Sequence, residues 1–220
     1  MRFPPVCCAL MLLACTTLSG QALYVPPELA RAPRVSVDGR PDWKPGHTVR
    51  FAEYSAERSA SHWEEAPTGP GSETLGFRVG IKGRGGWRGD CAPVTVQRKE
   101  MPAQASDLRC RLTPESGDTS QVWRLEVFTA KGKMPSGKLI RGRARLEIVG
   151  TNNLADGETT SGDRPAGFHF LVQGQALAAV ELFGDGAVIL DTGLPGDRRD
   201  LFAVSAAALM LWDDLVYPPR

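Results

Sequence analysis

The segment that most constrains the fold is residues 201–212, in which Ser205 is the only polar side chain. It follows the breaker pair Pro195-Gly196, after which Asp197 is placed to cap a helix that we expect to run to about Asp214. A helix that is apolar on every side must be enclosed by protein or by lipid. Because a membrane-spanning helix needs ~20 apolar residues, we expect the rest of the chain to enclose this one.

The rest of the chain alternates apolar and polar residues with a period of two, which is typical of half-buried strands. The alternation covers residues 49–51, 75–81, 94–96, 108–112, 123–127, 140–148 and 168–172, and further strands are expected at residues 177–183 and 187–190. We expect loops at residues 55–73 and 83–90, and a tight hairpin turn at Gly184-Asp185-Gly186. The pattern predicts a mainly β fold, an antiparallel barrel or sandwich with one apolar C-terminal helix packed against it or inside it.

The last part of the chain, residues 178–215, resembles the tubby-like barrel. The residues that carry the resemblance are Val180-Glu181-Leu182, Val188-Ile189-Leu190 and the apolar helix ending in Trp212-Asp213-Asp214-Leu215. This family includes tubby C-terminal domains, phospholipid scramblases and plant LURP-one-related proteins. The resemblance implies a closed antiparallel barrel around the helix and a protein that works beside lipid. The alternative is an unrelated sandwich with a packed terminal helix.

The N-terminus has the features of an export signal, with Arg2 ahead of an apolar run over residues 6–14. Leu12-Leu13-Ala14-Cys15 is similar to the lipobox of bacterial lipoproteins. That resemblance implies a signal peptide over residues 1–14 and a diacylated Cys15 in the membrane lipid. Because no aspartate follows Cys15, it also implies an outer-membrane location facing the periplasm. The alternative is an ordinary signal cleaved after Ala22, which would give a soluble periplasmic or secreted protein.

The mature chain divides into a tether and one domain. Five prolines fall between residues 23 and 45, so we expect residues 15–45 to be a lipidated N-terminus and extended tether, with one short strand at residues 34–37. Residues 46–220 are long enough for a single β-rich domain. Cys91 and Cys110 are the only cysteines after Cys15, and in an exported protein we expect them to form a disulfide.

A run of basic residues is the strongest candidate for a binding site. Arg141, Arg143 and Arg145 alternate with small or apolar residues, so in a single strand their guanidinium groups would line the outer face. We expect anionic lipid headgroups or lipopolysaccharide phosphates to bind a basic stripe made of Lys131, Lys133, Lys138, Arg141, Arg143 and Arg145. The alternative is a solvated strand face balanced by acidic neighbours such as Glu126.

Other motifs do not indicate a reaction. Residues 132–138 are one step from a phosphate-binding loop, but Leu139 stands where a serine or threonine should hold magnesium, so we expect no nucleotide. With 26 Lys and Arg against 25 Asp and Glu, we expect no nucleic-acid partner. The acidic residues 152–163 do not have calcium-loop spacing. We expect neither a metal nor a cofactor.

These observations predict an exported, non-catalytic protein with a binding or structural role at the cell envelope. The first alternative is a periplasmic interaction or assembly module, with an envelope protein as partner, that exposes loop residues such as Trp63 and Trp87. The second is a hydrolase of unknown substrate that uses His62 and Glu64.

Overall fold

An antiparallel sheet of twelve strands dominates the computed structural model and curls into a nearly closed barrel. The structure describes residues 22–40, 44–59, 62–64, 71–92, 94–96, 107–130, 132–160 and 164–217. The strands are β1 (Arg34–Ser36), β2 (Thr48–Phe51), β3 (Tyr54–Arg58), β4 (His62–Glu64), β5 (Gly71–Thr74), β6 (Gly76–Ile81), β7 (Arg84–Cys91), β8 (Val94–Val96), β9 (Leu108–Pro114), β10 (Trp123–Phe128), β11 (Ser136–Arg141), β12 (Ala144–Thr151), β13 (Gly167–Val172), β14 (Gln175–Glu181) and β15 (Ala187–Leu190). They are followed by the helix α1 (Gly196–Val216), and short 3-10 helices lie at Pro27–Leu29 and Thr119–Gln121.

The barrel closes between its two edge strands. The strand order is β1-β15-β14-β13-β12-β11-β10-β9-β7-β6-β3-β2, and β4, β5 and β8 form a separate small sheet. Asp38, just after β1, and Arg50 in β2 exchange two backbone hydrogen bonds of 2.8 and 3.0 Å. The predicted mainly β barrel with one C-terminal helix is confirmed.

The helix α1 lies inside the barrel. Ala206, Ala207 and Ala208 have no exposed surface, and the same core contains inward side chains of strands from both halves of the sheet, such as Phe77 and Phe170. The Ser205 hydroxyl donates to the Leu201 carbonyl, so the one polar side chain in the apolar stretch is satisfied within the helix. Enclosure by the strands is therefore what the apolar sequence required.

The helix begins two residues earlier than the sequence indicated. It begins at Gly196 after Pro195, and no side chain caps it, so the prediction that Asp197 is the cap was wrong. The Pro195 carbonyl accepts from the backbone N–H groups of Arg198 and Arg199, which places Asp197 inside the first turn.

The barrel has two different ends. At one, which we call the hairpin end, residues 52–53, 82–83, 142–143 and 173–174 form tight turns and α1 begins. At the other, the loop end, β10 and β12 end, β11 and β13 begin, and α1 ends. Each end of the barrel has a different surface near it, and the two surfaces are described below.

Residues 22–33 form a strap across the outside of the barrel. Leu23 and Leu29 are buried against the outward side chains of Ala179 and Ile189 in a second, smaller core. The Leu23 backbone N–H donates to the buried Glu181 carboxylate at 3.0 Å, and β1 then pairs with β15. The described part of the predicted tether therefore belongs to the folded body, because its apolar residues cover the outer face of β14 and β15. The predicted short strand is present as β1.

Two predicted loops contain strands. Residues 84–91 form β7. The Phe77 ring of β6 lies so close to Gly89 that a Cβ added to the glycine would be 2.2 Å from it. Glycine is needed there for close packing rather than for a loop. The expected loop at residues 55–73 contains most of β3, all of β4 and part of β5. Trp87 is only 6% exposed, so it cannot meet a partner, and the side chains of His62, Trp63 and Glu64 lie outside the described residues.

Candidate anion-binding surface

Strands β9, β10 and β12 place arginines on the outer wall near the hairpin end, and β11 lies between β10 and β12. Arg111 in β9 pairs directly with Arg124 in β10, Arg124 pairs with Ile140 in β11, and Ile140 pairs with Arg145 in β12. Leu112, Leu125 and Leu146 alternate with these residues and face the core. The register therefore brings together arginines that are far apart in sequence.

A hairpin interrupts the predicted strand over residues 140–148. Arg141 ends β11 and pairs with Ala144 at the start of β12, and Gly142 and Arg143 form the turn. Gly142 has a φ of 54°, a conformation that suits glycine at the first central position of a two-residue hairpin. The prediction of one strand with three guanidinium groups on one face was wrong, because the chain reverses at Gly142.

Of the two hairpin arginines, Arg141 lines a depression that it shares with the outer-wall pair, although it follows the outward Ile140 and so starts from the opposite face of β11. The Arg141 guanidinium lies 4.7 Å from the centre of the Trp123 ring, an arrangement that holds it by a cation–π contact. A shallow depression of about 280 Å³ is lined by Arg111, Val122, Arg124, Ile140, Arg141 and Gly142. We call Arg111, Arg124, Arg141, Arg143 and Arg145 the arginine surface. All five are exposed.

Within the described residues, no member of the arginine surface forms a salt bridge with a carboxylate. Asp118 is affected by the charge of Arg141. Its pKa is lowered mainly by hydrogen bonds from Ser120 and to a smaller extent by the Arg141 guanidinium. The surface is therefore a concentration of positive charge with an apolar floor at Ile140.

The arginines of β6 and β7 differ from the arginine surface, because they have carboxylate partners. A larger depression of about 630 Å³ is lined in part by Arg78 and Arg88. There Arg78 pairs with Glu115 at 2.5 Å and Arg88 pairs with Asp90 at 2.9 Å. Cations that already have carboxylate partners are poor anion sites, so the smaller depression is the stronger candidate.

The predicted lysines do not join the arginine surface. Lys131 lies outside the described residues, and Lys133 is exposed in the connection before β11, at the loop end. Lys138 pairs with Glu126 at 3.3 Å and is opposite Glu147 in β12. The stripe predicted from the sequence is therefore divided between two ends of the barrel. Sequence reasoning also missed Arg111 and Arg124, whose only signal is that each occupies an outward position of a predicted strand.

The Cys91–Cys110 disulfide is present and joins β7 to β9 at a directly paired position. Both cysteines are buried in the barrel core. The bridge fixes β9, the strand that carries Arg111, to its neighbour. Its contribution to the candidate site is structural.

Buried ionic groups hold the last turns of α1 at the loop end. Asp213 has no exposed surface and accepts from the Arg40 guanidinium at 2.8 Å and from the Arg164 guanidinium at 2.8 and 3.2 Å. Burial raises the pKa of Asp213, and the two arginines oppose that rise. Acidic side chains are unfavourable at a helix C-terminus, so these arginines offset both burial and the helix dipole.

A second ionic group lies at the start of the helix. Asp200 is 7% exposed and accepts from the Tyr54 hydroxyl at 3.0 Å and from the Arg84 guanidinium at 2.9 Å. Burial raises the pKa of Tyr54, and the Asp200 charge raises it further. In both ionic groups, at the start and at the end of α1, the carboxylates already have hydrogen-bond partners within the protein. We therefore interpret these groups as fixing the helix in the barrel.

In the parts of the chain that the structure describes, no group of three or more His, Cys, Asp or Glu residues is placed to hold a metal ion. The same residues contain no helix long and apolar enough to cross a bilayer. Comparisons with protein-family models, with curated proteins and with solved structures found no match to this chain.

Proposed function

We propose that this chain is an exported, non-catalytic binding protein of the cell envelope, and that its arginine surface holds a polyanionic ligand. The observation that carries the proposal is that five arginines close together in the described residues have no carboxylate partner, whereas Arg78 and Arg88, which line the larger depression, are paired. Arginine binds phosphate and carboxylate groups through two parallel N–H bonds.

The arrangement supports a ligand with more than one negative group. Arg111 and Arg124 are direct cross-strand neighbours, a position at which like charges repel each other. A bound anion removes that repulsion and forms charge-assisted hydrogen bonds in its place. Ile140 is only 8% exposed below them, so it supplies a largely dry floor to the depression.

A pair of matched double variants tests this function. Arg124→Gln with Arg145→Gln removes two charges from the arginine surface, and Arg78→Gln with Arg88→Gln removes the two paired charges that line the larger depression. Each arginine near an anionic surface is worth about 1 kcal/mol, so the first variant should lose about 30-fold in affinity. The second should lose less than about threefold, because its arginines already have partners.

Two probes separate the sources of the anion. Inorganic polyphosphate represents a soluble polyanion, and phosphatidylcholine vesicles containing phosphatidylglycerol represent a membrane surface. Binding of either probe should weaken as salt rises. Equal losses in both double variants would mean that only total charge matters and would contradict the proposal, as would failure to bind either probe.

The route of export is part of the proposal. The lipobox resemblance supports a diacylated Cys15 at the outer membrane, with cleavage after Ala22 as the alternative. The resemblance of residues 178–215 to the tubby-like barrel likewise remains a prediction. An intact mass of the mature protein recovered from host membranes distinguishes a lipidated Cys15 from a chain that begins at Leu23.

A further inference from the structure

Three large apolar side chains are exposed in the described part of the chain: Tyr24 (43%), Phe128 (39%) and Val149 (40%). They share one band of the outer wall at the loop end. Phe128 in β10 pairs with Ser136 in β11, and Ser136 pairs with Val149 in β12. Phe128 and Val149 therefore lie on the same face, on either side of Ser136.

The strap extends this band to Tyr24. Val149 pairs with His169 in β13, and the His169 Nε2–H donates to the Tyr24 carbonyl at 3.0 Å. Tyr24 thus lies one strand beyond Val149 on the same side of the barrel. We call Tyr24, Phe128 and Val149 the loop-end face.

The two cations that contact Phe128 have carboxylate partners. The Arg109 guanidinium and the Lys138 ammonium lie 5.5 and 6.0 Å from the centre of the Phe128 ring. Arg109 also pairs with Asp107 and Lys138 with Glu126. An apolar band rimmed by long amphipathic side chains of both signs suits the headgroup region of a bilayer, where aromatic rings and lysine or arginine stems concentrate.

The chain places this face close to the expected lipid anchor. Tyr24 is nine residues after Cys15, so the two are never more than about 30 Å apart even with a fully extended backbone. We propose that the loop-end face rests in the headgroup layer of the membrane that holds the Cys15 lipid. This inference rests on the lipidated Cys15 of the proposed function.

The orientation separates the membrane from the arginine surface. Arg145 and Val149 lie on the outer face of the same strand, four residues or about 13 Å apart. A headgroup layer is only about 6 Å thick on each side of the hydrocarbon core. With the loop end on the membrane, the arginine surface faces the aqueous compartment, and its ligand is a soluble polyanion rather than a headgroup of the same membrane.

A reporter on each end of the barrel tests the orientation. Ser136, between Phe128 and Val149, and Ser116, in the turn after β9 at the hairpin end, are both exposed. Each is replaced by cysteine and labelled with an environment-sensitive fluorophore in the mature lipidated protein, which is reconstituted into phosphatidylcholine vesicles containing doxyl-labelled lipid. The label at residue 136 should shift to the blue and be quenched, and the label at residue 116 should not change. Equal responses at the two positions, or no quenching at residue 136, would overturn the orientation.

A second measurement does not need the anchor. The mature chain without its lipid should partition weakly into phosphatidylcholine vesicles, and Phe128→Ser with Val149→Thr should reduce that partitioning about tenfold. High salt should have little effect, unlike at the arginine surface. Arg124→Gln with Arg145→Gln should leave partitioning unchanged, so a failure of the arginine proposal is distinguishable from a failure of this one. Unchanged partitioning in the Phe128 and Val149 variant would refute the inference.

Discussion

Removal of Arg40 should be among the most destabilising single changes at a charged residue. Its guanidinium is 97% buried and donates to the Leu182 carbonyl at 3.1 Å, to Asp213 at 2.8 Å and to Asp214 at 2.9 Å. Arg40→Met keeps much of the side-chain volume but leaves Asp213 with Arg164 alone. Breaking a buried pair on one side costs about 3–5 kcal/mol, because the remaining charge stays buried without its full complement of partners.

A double-variant cycle isolates the interaction. Asp213→Asn alone should lower the free energy of unfolding by a similar amount, and the two changes together should cost at least about 2 kcal/mol less than their sum. The assay is urea unfolding of the protein, followed by tryptophan fluorescence and by circular dichroism, and all variants must unfold with the same dependence on urea concentration. Arg109→Met is the control, since its pair with Asp107 is exposed and should contribute less than about 1 kcal/mol.

The result that would refute this reasoning is additivity. If Arg40→Met and Asp213→Asn each cost less than about 1 kcal/mol and their effects add, the cluster does not retain the end of α1. The helix would then be held by apolar packing alone.

Three further predictions concern stability. Replacing Cys91 and Cys110 by serine should lower the free energy of unfolding by about 3 kcal/mol, the value for closing a loop of this length, and chemical denaturation with and without reductant checks it. Burial lowers the pKa of His169, against the Tyr24 carbonyl and Glu28, so the unfolded chain binds a proton that the folded chain does not. The free energy of unfolding should therefore fall as the pH drops below about 6.5, and His169→Gln should flatten that dependence; an unchanged slope in the variant would contradict the assignment. Gln173 has a φ of 52° in a two-residue turn with Gly174, so Gln173→Asn should raise the melting temperature, with a gain of about 0.5 kcal/mol, and a lower melting temperature would count against the turn geometry.

The alternation of the sequence predicted most strands because one face of each is buried. It failed at residues 140–148, where Arg141-Gly142-Arg143 continues the alternation through a turn. A glycine that opens a hairpin and a glycine that faces inward in a strand give the same pattern. The prolines of the N-terminal segment predicted an extended tether, but its described part is folded. Leu23 and Leu29 cover the outer face of β14 and β15, which are far away in sequence.

The candidate site was predictable only in part. Arg141, Arg143 and Arg145 stand close together in the chain, whereas Arg111 and Arg124 join them through strand register. Register depends on which strands pair and on the geometry of each turn. Neither can be read from the sequence of one strand alone. The separation of the lysines from the arginines also depends on the hairpin at Gly142.

The position of α1 has a consequence for how the chain is made. The helix that fills the barrel is synthesised after all the described strands, and β1 must wait for β15 before it can pair. A partly synthesised chain therefore has strands but no interior to close around, and pairing over such distances is slow. For the export proposed above, this delay is useful, because the barrel cannot be completed before β15 and α1 have been synthesised.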